Sequence, residues 1–261
     1  MHVPRKRFGQ HFLHDRHIIQ RIVDAIDPQK DDPLVEIGPG LGAITQPLLA
    51  RVDRLEAIEI DRDAIAHLQS QFGSHVTGRG ELHIHEADVL DFKLETIAQG
   101  RRLRLVGNLP YNISTPLLFA LIEQRHHIAD MHFMLQKEVV DRMAAEPGSK
   151  VYGRLSVMLQ LVCRVEPLFV VPPGAFRPPP KVDSAVVRLV PLGPDQLPDA
   201  DPERIHAIVK AAFAQRRKTL GNALKNVMDS SAIMAADVDP KARAETLSPQ
   251  DYVRLARVPH G

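Results

Sequence analysis

Short, mostly apolar runs at residues 34–37, 55–60, 82–84, 103–106 and 131–135 recur along the chain, with stretches of helical length between them. A run of three to six such residues bounded by polar turns reads as a buried strand, and its repetition with longer segments between predicts a succession of βα units. Units of that kind build a parallel sheet covered on both faces, whose ligands sit beyond the carboxyl ends of the strands. The expected class is therefore α/β. Two later runs, 168–171 and 185–190, predict an antiparallel hairpin at one edge of the sheet.

The pattern changes at Pro191-Leu192-Gly193-Pro194-Asp195-Gln196-Leu197-Pro198-Asp199-Ala200-Asp201-Pro202, where proline and aspartate stop any continuing strand. Beyond it, Ile205, Ile208, Val209, Ala212 and Phe213 follow the i, i+3, i+4 spacing of an amphipathic helix. This predicts a sheet domain over residues 1–190, a linker over 191–202 and a small helical domain over 203–261. The chain carries no internal repeat and no low-complexity tract.

Composition narrows the function only a little. A hydrophobic fraction of 44% in 261 residues is ample for a core. Net charge is +1, from 33 basic and 32 acidic residues, so only local clusters bear on a polyanionic partner. The one cysteine, Cys163, excludes an internal disulfide and a thiolate metal cluster and fits a reducing compartment. It lies in the apolar stretch Met158-Leu159-Gln160-Leu161-Val162-Cys163 and reads as a small buried hydrophobe rather than a catalytic thiol. Basic residues near the N-terminus are not followed by an apolar signal region, and no run reaches membrane-spanning length, so a cytoplasmic location away from membranes is expected. Of the 13 histidines, His83 and His85 share one face of a predicted strand, but no third ligand accompanies them and no metal is expected.

Two motifs carry chemistry. In Val35-Glu36-Ile37-Gly38-Pro39-Gly40-Leu41-Gly42 a strand runs into a glycine turn spaced G-x-G-x-G, where a dinucleotide pyrophosphate needs G-x-G-x-x-G. Gly38 and Gly40 let the backbone turn sharply and approach a ligand closely; the plain alternative is a tight βα turn. The next strand ends in Glu59, where a carboxylate can accept two hydrogen bonds from a ribose diol; Asp61 and Asp63 follow as candidate helix caps. After the third strand comes Asp88, an acceptor for an adenine exocyclic amine. Two strand-end acids behind a glycine turn fit an adenosyl group, and the spacing favours S-adenosylmethionine over NAD.

The second motif is Gly107-Asn108-Leu109-Pro110-Tyr111. The Asn108 side-chain oxygen and the Leu109 carbonyl, ahead of Pro110, can both accept from an adenine amine. Taking both protons localises the nitrogen lone pair toward a sulfonium methyl. Because the thioether leaves neutral, no strong base is required, and catalysis is mainly positioning and electrostatics. Tyr111 can stack on an adenine drawn out of its own stack, with Phe176 as the second ring of a sandwich. In Phe176-Arg177-Pro178-Pro179-Pro180-Lys181, Arg177 and Lys181 can meet phosphates; the plain alternative is a surface loop plugged by Phe176. Arg5-Lys6-Arg7 and Arg216-Arg217-Lys218 are further basic clusters, either RNA contacts or solvated faces.

These motifs, with Arg5-Lys6-Arg7-Phe8-Gly9-Gln10-His11-Phe12-Leu13, Asn108-Leu109-Pro110-Tyr111-Asn112-Ile113-Ser114-Thr115, Met134-Leu135-Gln136-Lys137-Glu138-Val139-Val140, Tyr152-Gly153-Arg154-Leu155-Ser156-Val157, Pro179-Pro180-Lys181-Val182-Asp183-Ser184 and Phe213-Ala214-Gln215-Arg216-Arg217-Lys218-Thr219-Leu220, closely resemble the ribosomal RNA adenine N6-dimethyltransferases. The resemblance spans nearly the whole chain and is closest to the bacterial small-subunit branch. It implies a Rossmann-like S-adenosylmethionine-dependent methyltransferase sheet with a small C-terminal helical domain. It further implies that His11, Leu13, Gly38, Glu59, Asp88 and Asn108 line the cofactor site, with the N-terminal segment folded over it. His11 stands where the family commonly has asparagine, and its imidazole is expected to keep the contact by donating one hydrogen bond. The implied reaction is dimethylation of two adjacent adenosines in a hairpin loop near the 3′ end of small-subunit (16S) rRNA, during late subunit assembly, by a monomer. Two rivals stand beside it: the large-subunit rRNA methyltransferases of macrolide resistance, disfavoured by residues 134–140 and 216–220, and an assembly factor whose main task is RNA binding.

Overall fold

A computed structural model describes residues 11–73, 80–215 and 217–259. Its strands are β1 (Phe12–Leu13), β2 (Leu34–Ile37), β3 (Arg54–Glu59), β4 (Glu81–Glu86), β5 (Leu103–Asn108), β6 (Ile128–Gln136), β7 (Cys163–Val171), β8 (Phe176–Arg177) and β9 (Ser184–Pro191). The helices that bear on the site are α1 (Arg16–Ile26), α2 (Thr45–Leu49) and α3 (Arg62–Phe72). Each expected βα strand is present, and the class is α/β. The described residues up to Val140, together with Glu166–Pro191, form one compact unit; Asp141–Val165 and Leu192 onward form a second.

The first unit is built on a seven-stranded sheet in the order β4-β3-β2-β5-β6-β9-β7. Pairing is parallel from β4 through to β6, and β9 joins β6 antiparallel, with Met131 opposite Leu189 and Gln136 opposite Ser184. β2 is buried along its whole length, as a strand with both faces covered must be. The helices start where the sequence supplies caps. The Asp15 carboxylate accepts from the His17 and Ile18 N–H groups, and the Asp61 carboxylate from that of Asp63, satisfying donors that a helix N-terminus leaves open. α1 then buries Ile18, Ile22, Val23 and Ile26 on one stripe. The late edge strand begins at Cys163, five residues before the run that announced it, because Arg164, Glu166 and Pro167 break its apolar pattern, and an edge strand tolerates such residues. Cys163 is buried, as a small hydrophobe. The two-residue pair β1–β8, with Phe12 opposite Arg177 and Leu13 opposite Phe176, is too short for periodicity to signal.

One close approach organises the sheet. β2 pairs with β5 from Leu34 opposite Arg104 to Glu36 opposite Val106. One position on, a β-carbon at Gly107 would stand 2.5 Å from the Ile37 carbonyl oxygen, so only glycine fits. Past Ile37 the chain keeps to β3, the Gly38 N–H donating to the Ile58 carbonyl at 2.9 Å. β2 and β5 thus part at their carboxyl ends, where the strand order runs outward in both directions. An open α/β sheet forms its ligand crevice at such a point.

The second unit is helical and includes Pro202–Ala214 and Pro249–Arg257. It corrects the division expected from composition, which kept 141–165 with the sheet and treated 191–202 as a linker. Tyr152, Val157 and Leu161 are buried in one apolar cluster with Ile205, Ile208, Val209, Ala212, Tyr252 and Leu255. The Tyr152 hydroxyl donates to the Leu247 carbonyl at 2.9 Å. Residues 191–202 are tied into this unit by Leu192 N–H on the Val162 carbonyl and by the Arg257 guanidinium on the Asp199 carbonyl. Apolar periodicity along one helix cannot reveal which distant segment shares its core.

Gly107→Ala is expected to destabilise the protein by about 1–3 kcal/mol, the range for forcing an added methyl into a packed site. A denaturant midpoint equal to that of the parent contradicts the close approach.

Candidate active site

The carboxyl ends of β2, β3 and β5 open onto a cavity of about 480 Å³, within the span of small-molecule sites. His11, Leu13, Gly38, Gly40, Glu59, Asn108, Leu109, Pro110, Tyr111 and Arg177, all singled out by sequence, line it. The structure therefore brings the glycine turn and the Asn-Leu-Pro-Tyr motif, some seventy residues apart in sequence, to one space.

Gly38 and Gly40 have φ of 65° and 55°, in the left-handed region where a side chain is strained. The turn they make aims one backbone donor, the Gly40 N–H, at Glu59, which is buried at the end of β3. Its Oε1 accepts from the Ile60 and Asp61 N–H groups at 2.8 and 2.9 Å, and its Oε2 accepts from the Gly40 N–H at 3.2 Å. A carboxylate offers about four acceptor positions, so at least one remains open, and the long Gly40 bond is the one a ligand hydroxyl can replace. Ile60 next to it is half-exposed and supplies an apolar face.

At the other end of the cavity Asn108 is held through its amide nitrogen, which donates to the His11 carbonyl at 3.4 Å. A carbonyl oxygen only accepts, so the nitrogen must face it, and the Asn108 oxygen is left as the acceptor for a substrate. The Leu109 N–H donates to the Met134 carbonyl at 3.1 Å, anchoring the motif to β6. The Tyr111 hydroxyl pairs with the buried Ser184 Oγ at 2.7 Å, and burial raises its pKa, so it stays a neutral phenol. Its ring is fixed at the hydroxyl end and lines the cavity.

His11 behaves differently from the expectation. Its Nδ1 lies 2.7 Å from the Pro178 carbonyl, which assigns the proton of a neutral ring to Nδ1 and leaves Nε2 as an acceptor. The ring stacks near Tyr111, with centroids 5.9 Å apart and planes inclined by 29°. The one donor of the neutral imidazole therefore braces the proline loop instead of reaching into the cavity.

One further assignment is corrected. Phe176 is 2% exposed and packs in the core with Leu13, Ile18, Val171 and Val186, so its ring is not free to form the second side of a sandwich; the plug reading describes it. Phe12, opposite Arg177 on β1, is the ring that lines the cavity. Asp88 is exposed and is not among the residues that line the cavity; its carboxylate accepts from the Leu90 N–H at 2.9 Å, which leaves acceptor positions open. Among the proposed phosphate contacts, Lys181 is exposed in the sheet unit, whereas Arg217 and Lys218 are exposed in the helical unit. Arg5, Lys6, Arg7 and Arg216 lie outside the described residues. Sequence reasoning passed over Glu36, Phe12, Ile60 and Gly107; a carboxylate inside an apolar strand was the one visible signal among them. Among the described residues no cluster of three or more metal-ligating side chains occurs.

Residues 1–259 match the model of a family described as ribosomal RNA adenine dimethylase. The chain belongs to that family. The dimethylase is 56% identical to Ribosomal RNA small subunit methyltransferase A of Nitrosococcus oceani, over 98% of this chain and 96% of that protein. It is 58% identical to the protein of the same name from Xanthomonas euvesicatoria pv. vesicatoria, over 97% and 95%. Among solved structures, a dimethyladenosine transferase from Plasmodium falciparum superposes with a TM-score of 0.79 at 26% identity, covering 94% of this chain and 96% of that one. The 23S rRNA methyltransferase ErmE superposes with a TM-score of 0.72 at 26% identity, covering 94% and 97%. The chain is thus an S-adenosylmethionine-dependent rRNA adenine dimethyltransferase with a Rossmann-like sheet.

The residues present suit that cofactor: a carboxylate acceptor at Glu59 with room for another hydrogen bond, an apolar neighbour at Ile60, and a turn without side chains at Gly38 and Gly40. Glu59→Gln replaces an acceptor oxygen by an amide donor facing backbone N–H groups. Loss of a hydrogen bond to a charged group costs about 1.5–3 kcal/mol, so S-adenosylmethionine should bind roughly 10–100-fold more weakly in calorimetric titration. Equal affinity in parent and variant contradicts the diol assignment.

Proposed function

We propose that the enzyme dimethylates the N6 amines of two adjacent adenosines in a hairpin loop near the 3′ end of small-subunit (16S) rRNA, in late small-subunit biogenesis. The observation that carries this reading is the single cavity in which a diol acceptor, Glu59, and an amine acceptor, Asn108, lie at the ends of strands flanking β2. Identity of 56–58% with relatives named for the small subunit, against 26% with ErmE, favours the small-subunit substrate over the large-subunit one.

In this reading Glu59 holds the ribose, and His11, Leu13, Gly38, Gly40, Asp88 and Asn108 contribute to the cofactor site, with Asp88 as the acceptor for the adenine amine. When bound, S-adenosylmethionine supplies a methyl group on a sulfonium that leaves as a neutral thioether. The chain supplies the rest. Asn108 Oδ1 and the Leu109 carbonyl accept the two amine protons of the target adenine and orient its lone pair, Pro110 keeps that carbonyl free of its neighbour's N–H, and Tyr111 stacks on the base. After the first transfer the methylated amine loses one proton to solvent and one N–H remains for two acceptors, so the second methylation proceeds with one acceptor facing a methyl group. Arg177 and Lys181 on one unit, and Arg217 and Lys218 on the other, are the RNA contacts proposed among the described residues; Arg5, Lys6, Arg7 and Arg216 complete the set. The proposal includes a cytoplasmic monomer; no described helix is long and apolar enough to cross a membrane.

Labelled methyl transfer to unmethylated small subunits and to protein-free large-subunit RNA, with nucleotides mapped by mass spectrometry, tests the reading. Adjacent dimethyladenosines in the small subunit alone are expected, and Asn108→Ala should lower the rate about 100-fold or more while the variant still binds cofactor. Label only in the large-subunit RNA moves the enzyme to the resistance-type activity. Undiminished turnover by the variant removes Asn108 from the chemistry, and no label in either RNA leaves RNA binding as the main role.

A further inference from the structure

With Phe176 in the core, the sandwich expected around the target base keeps one ring, Tyr111, and lacks its second. Two other rings line the cavity with it, those of Phe12 and His11. Phe12 belongs to the glycine turn: its ring lies 3.7 Å from the point that a β-carbon at Gly40 would take. His11 belongs to the Asn-Leu-Pro-Tyr end. Its Nδ1 donates to the Pro178 carbonyl at 2.7 Å, its own carbonyl accepts from the Asn108 amide at 3.4 Å, and its ring faces Tyr111 with centroids 5.9 Å apart and planes inclined by 29°. Among the described residues, none of its hydrogen bonds or ring contacts goes to the glycine turn or to Glu59.

The spacing of the two rings is close to that of a clamp for a base. Stacked bases in a duplex stand about 3.4 Å apart, so two rings with a base between them need centroids about 7 Å apart, roughly 1 Å more than His11 and Tyr111 show. The rings are anchored unequally. Tyr111 is pinned at its hydroxyl by the buried Ser184. The imidazole hangs on one hydrogen bond to Pro178, and the β1–β8 pair beside it is two residues long. A small rotation about that hydrogen bond widens the gap without breaking it.

We infer that His11 supplies the second ring of the target-base site: the adenine enters between His11 and Tyr111, and the imidazole, braced by Pro178, closes on the face that Tyr111 leaves open. Stacking of this kind is indifferent to which base is held, so the choice of adenine stays with Asn108 and the Leu109 carbonyl, which accept from its amine. The inference rests on the base reading of Asn108 and Tyr111 given under the proposed function. Any cofactor contact of residue 11 is then made by its main chain, and its ring takes the place foreseen for Phe176.

Two substitutions separate the ring from its hydrogen bond. His11→Asn keeps a donor for the Pro178 carbonyl and has no ring, whereas His11→Phe keeps a ring and has no donor. Methyl transfer to unmethylated small subunits is measured for both, and S-adenosylmethionine affinity is taken by calorimetry on the same proteins. Loss of a base–aromatic stack weakens the hold on a base roughly 5–100-fold, so kcat/KM for the subunits should fall by about that factor in His11→Asn and stay within about threefold of the parent in His11→Phe. S-adenosylmethionine should bind the parent and both variants equally. The reverse order, with His11→Asn near the parent and His11→Phe impaired, overturns the inference and leaves His11 as a brace of the proline loop. Equal rates in all three proteins, or equal losses in the two variants, overturn it as well. Weaker cofactor binding by both variants returns the ring to the cofactor and also overturns it. Tyr111→Ala tests the underlying reading: turnover equal to the parent's removes the base site from this end of the cavity, and so is told apart from a failure of His11 alone.

Discussion

A parallel sheet opens a crevice only where two neighbouring strands send the chain away in opposite directions, and in this protein that place is the parting of β2 and β5. The missing side chain at Gly107 lets the strands stay close one position past their last pair, Glu36 opposite Val106, and the glycine turn after Ile37 then swings toward β3. What the site can do follows from that geometry. Strand ends on the β3 side deliver Glu59, and those on the β5 side deliver Asn108 and the carbonyl ahead of Pro110. A side chain at position 107 wedges the strands apart at the point where both halves of the cavity are referenced.

The electrostatics of the cavity and of its substrate pull in opposite directions. Glu36, Glu59 and Asp61 make the cavity acidic, which suits a cationic cofactor and opposes a polyanion. A neutral adenine extruded from its stack resolves the conflict, since the base can enter while the phosphates stay outside with the arginines and lysines. The neutral Tyr111 phenol, held by Ser184, fits a pocket for an uncharged ring.

Much of this was legible in the sequence, and the limits have physical causes. Buried parallel strands are mostly apolar runs, so β2, β3, β5 and β6 announced themselves, the half-exposed edge strand β4 showed through Leu82 and Ile84, and residues at strand ends inherit their place from the topology, which is why Glu59 and Asn108 fell where expected. Phe176 did not, because a sequence shows an aromatic beside prolines but not which way its ring turns; pairing of Leu13 with Phe176 draws it into the core. Asp88 is less legible: a short acidic side chain can satisfy its own turn as readily as a ligand. The segment 141–165 joined the helical unit through Tyr152, Val157 and Leu161, contacts between residues far apart in sequence that no local pattern encodes.

The central claim is that one cofactor lies across the ends of β3, β2 and β5, with its ribose and its sulfur at opposite sides of the crevice. A crystal structure of the enzyme with S-adenosylhomocysteine tests this most directly. The account predicts ribose hydroxyls on the Glu59 carboxylate, with the Gly40 hydrogen bond lengthened or replaced, and the sulfur directed toward Asn108. A ligand bound outside this cavity, or lying in it with its adenine at Asn108 and its amino-acid end at Glu59, contradicts it.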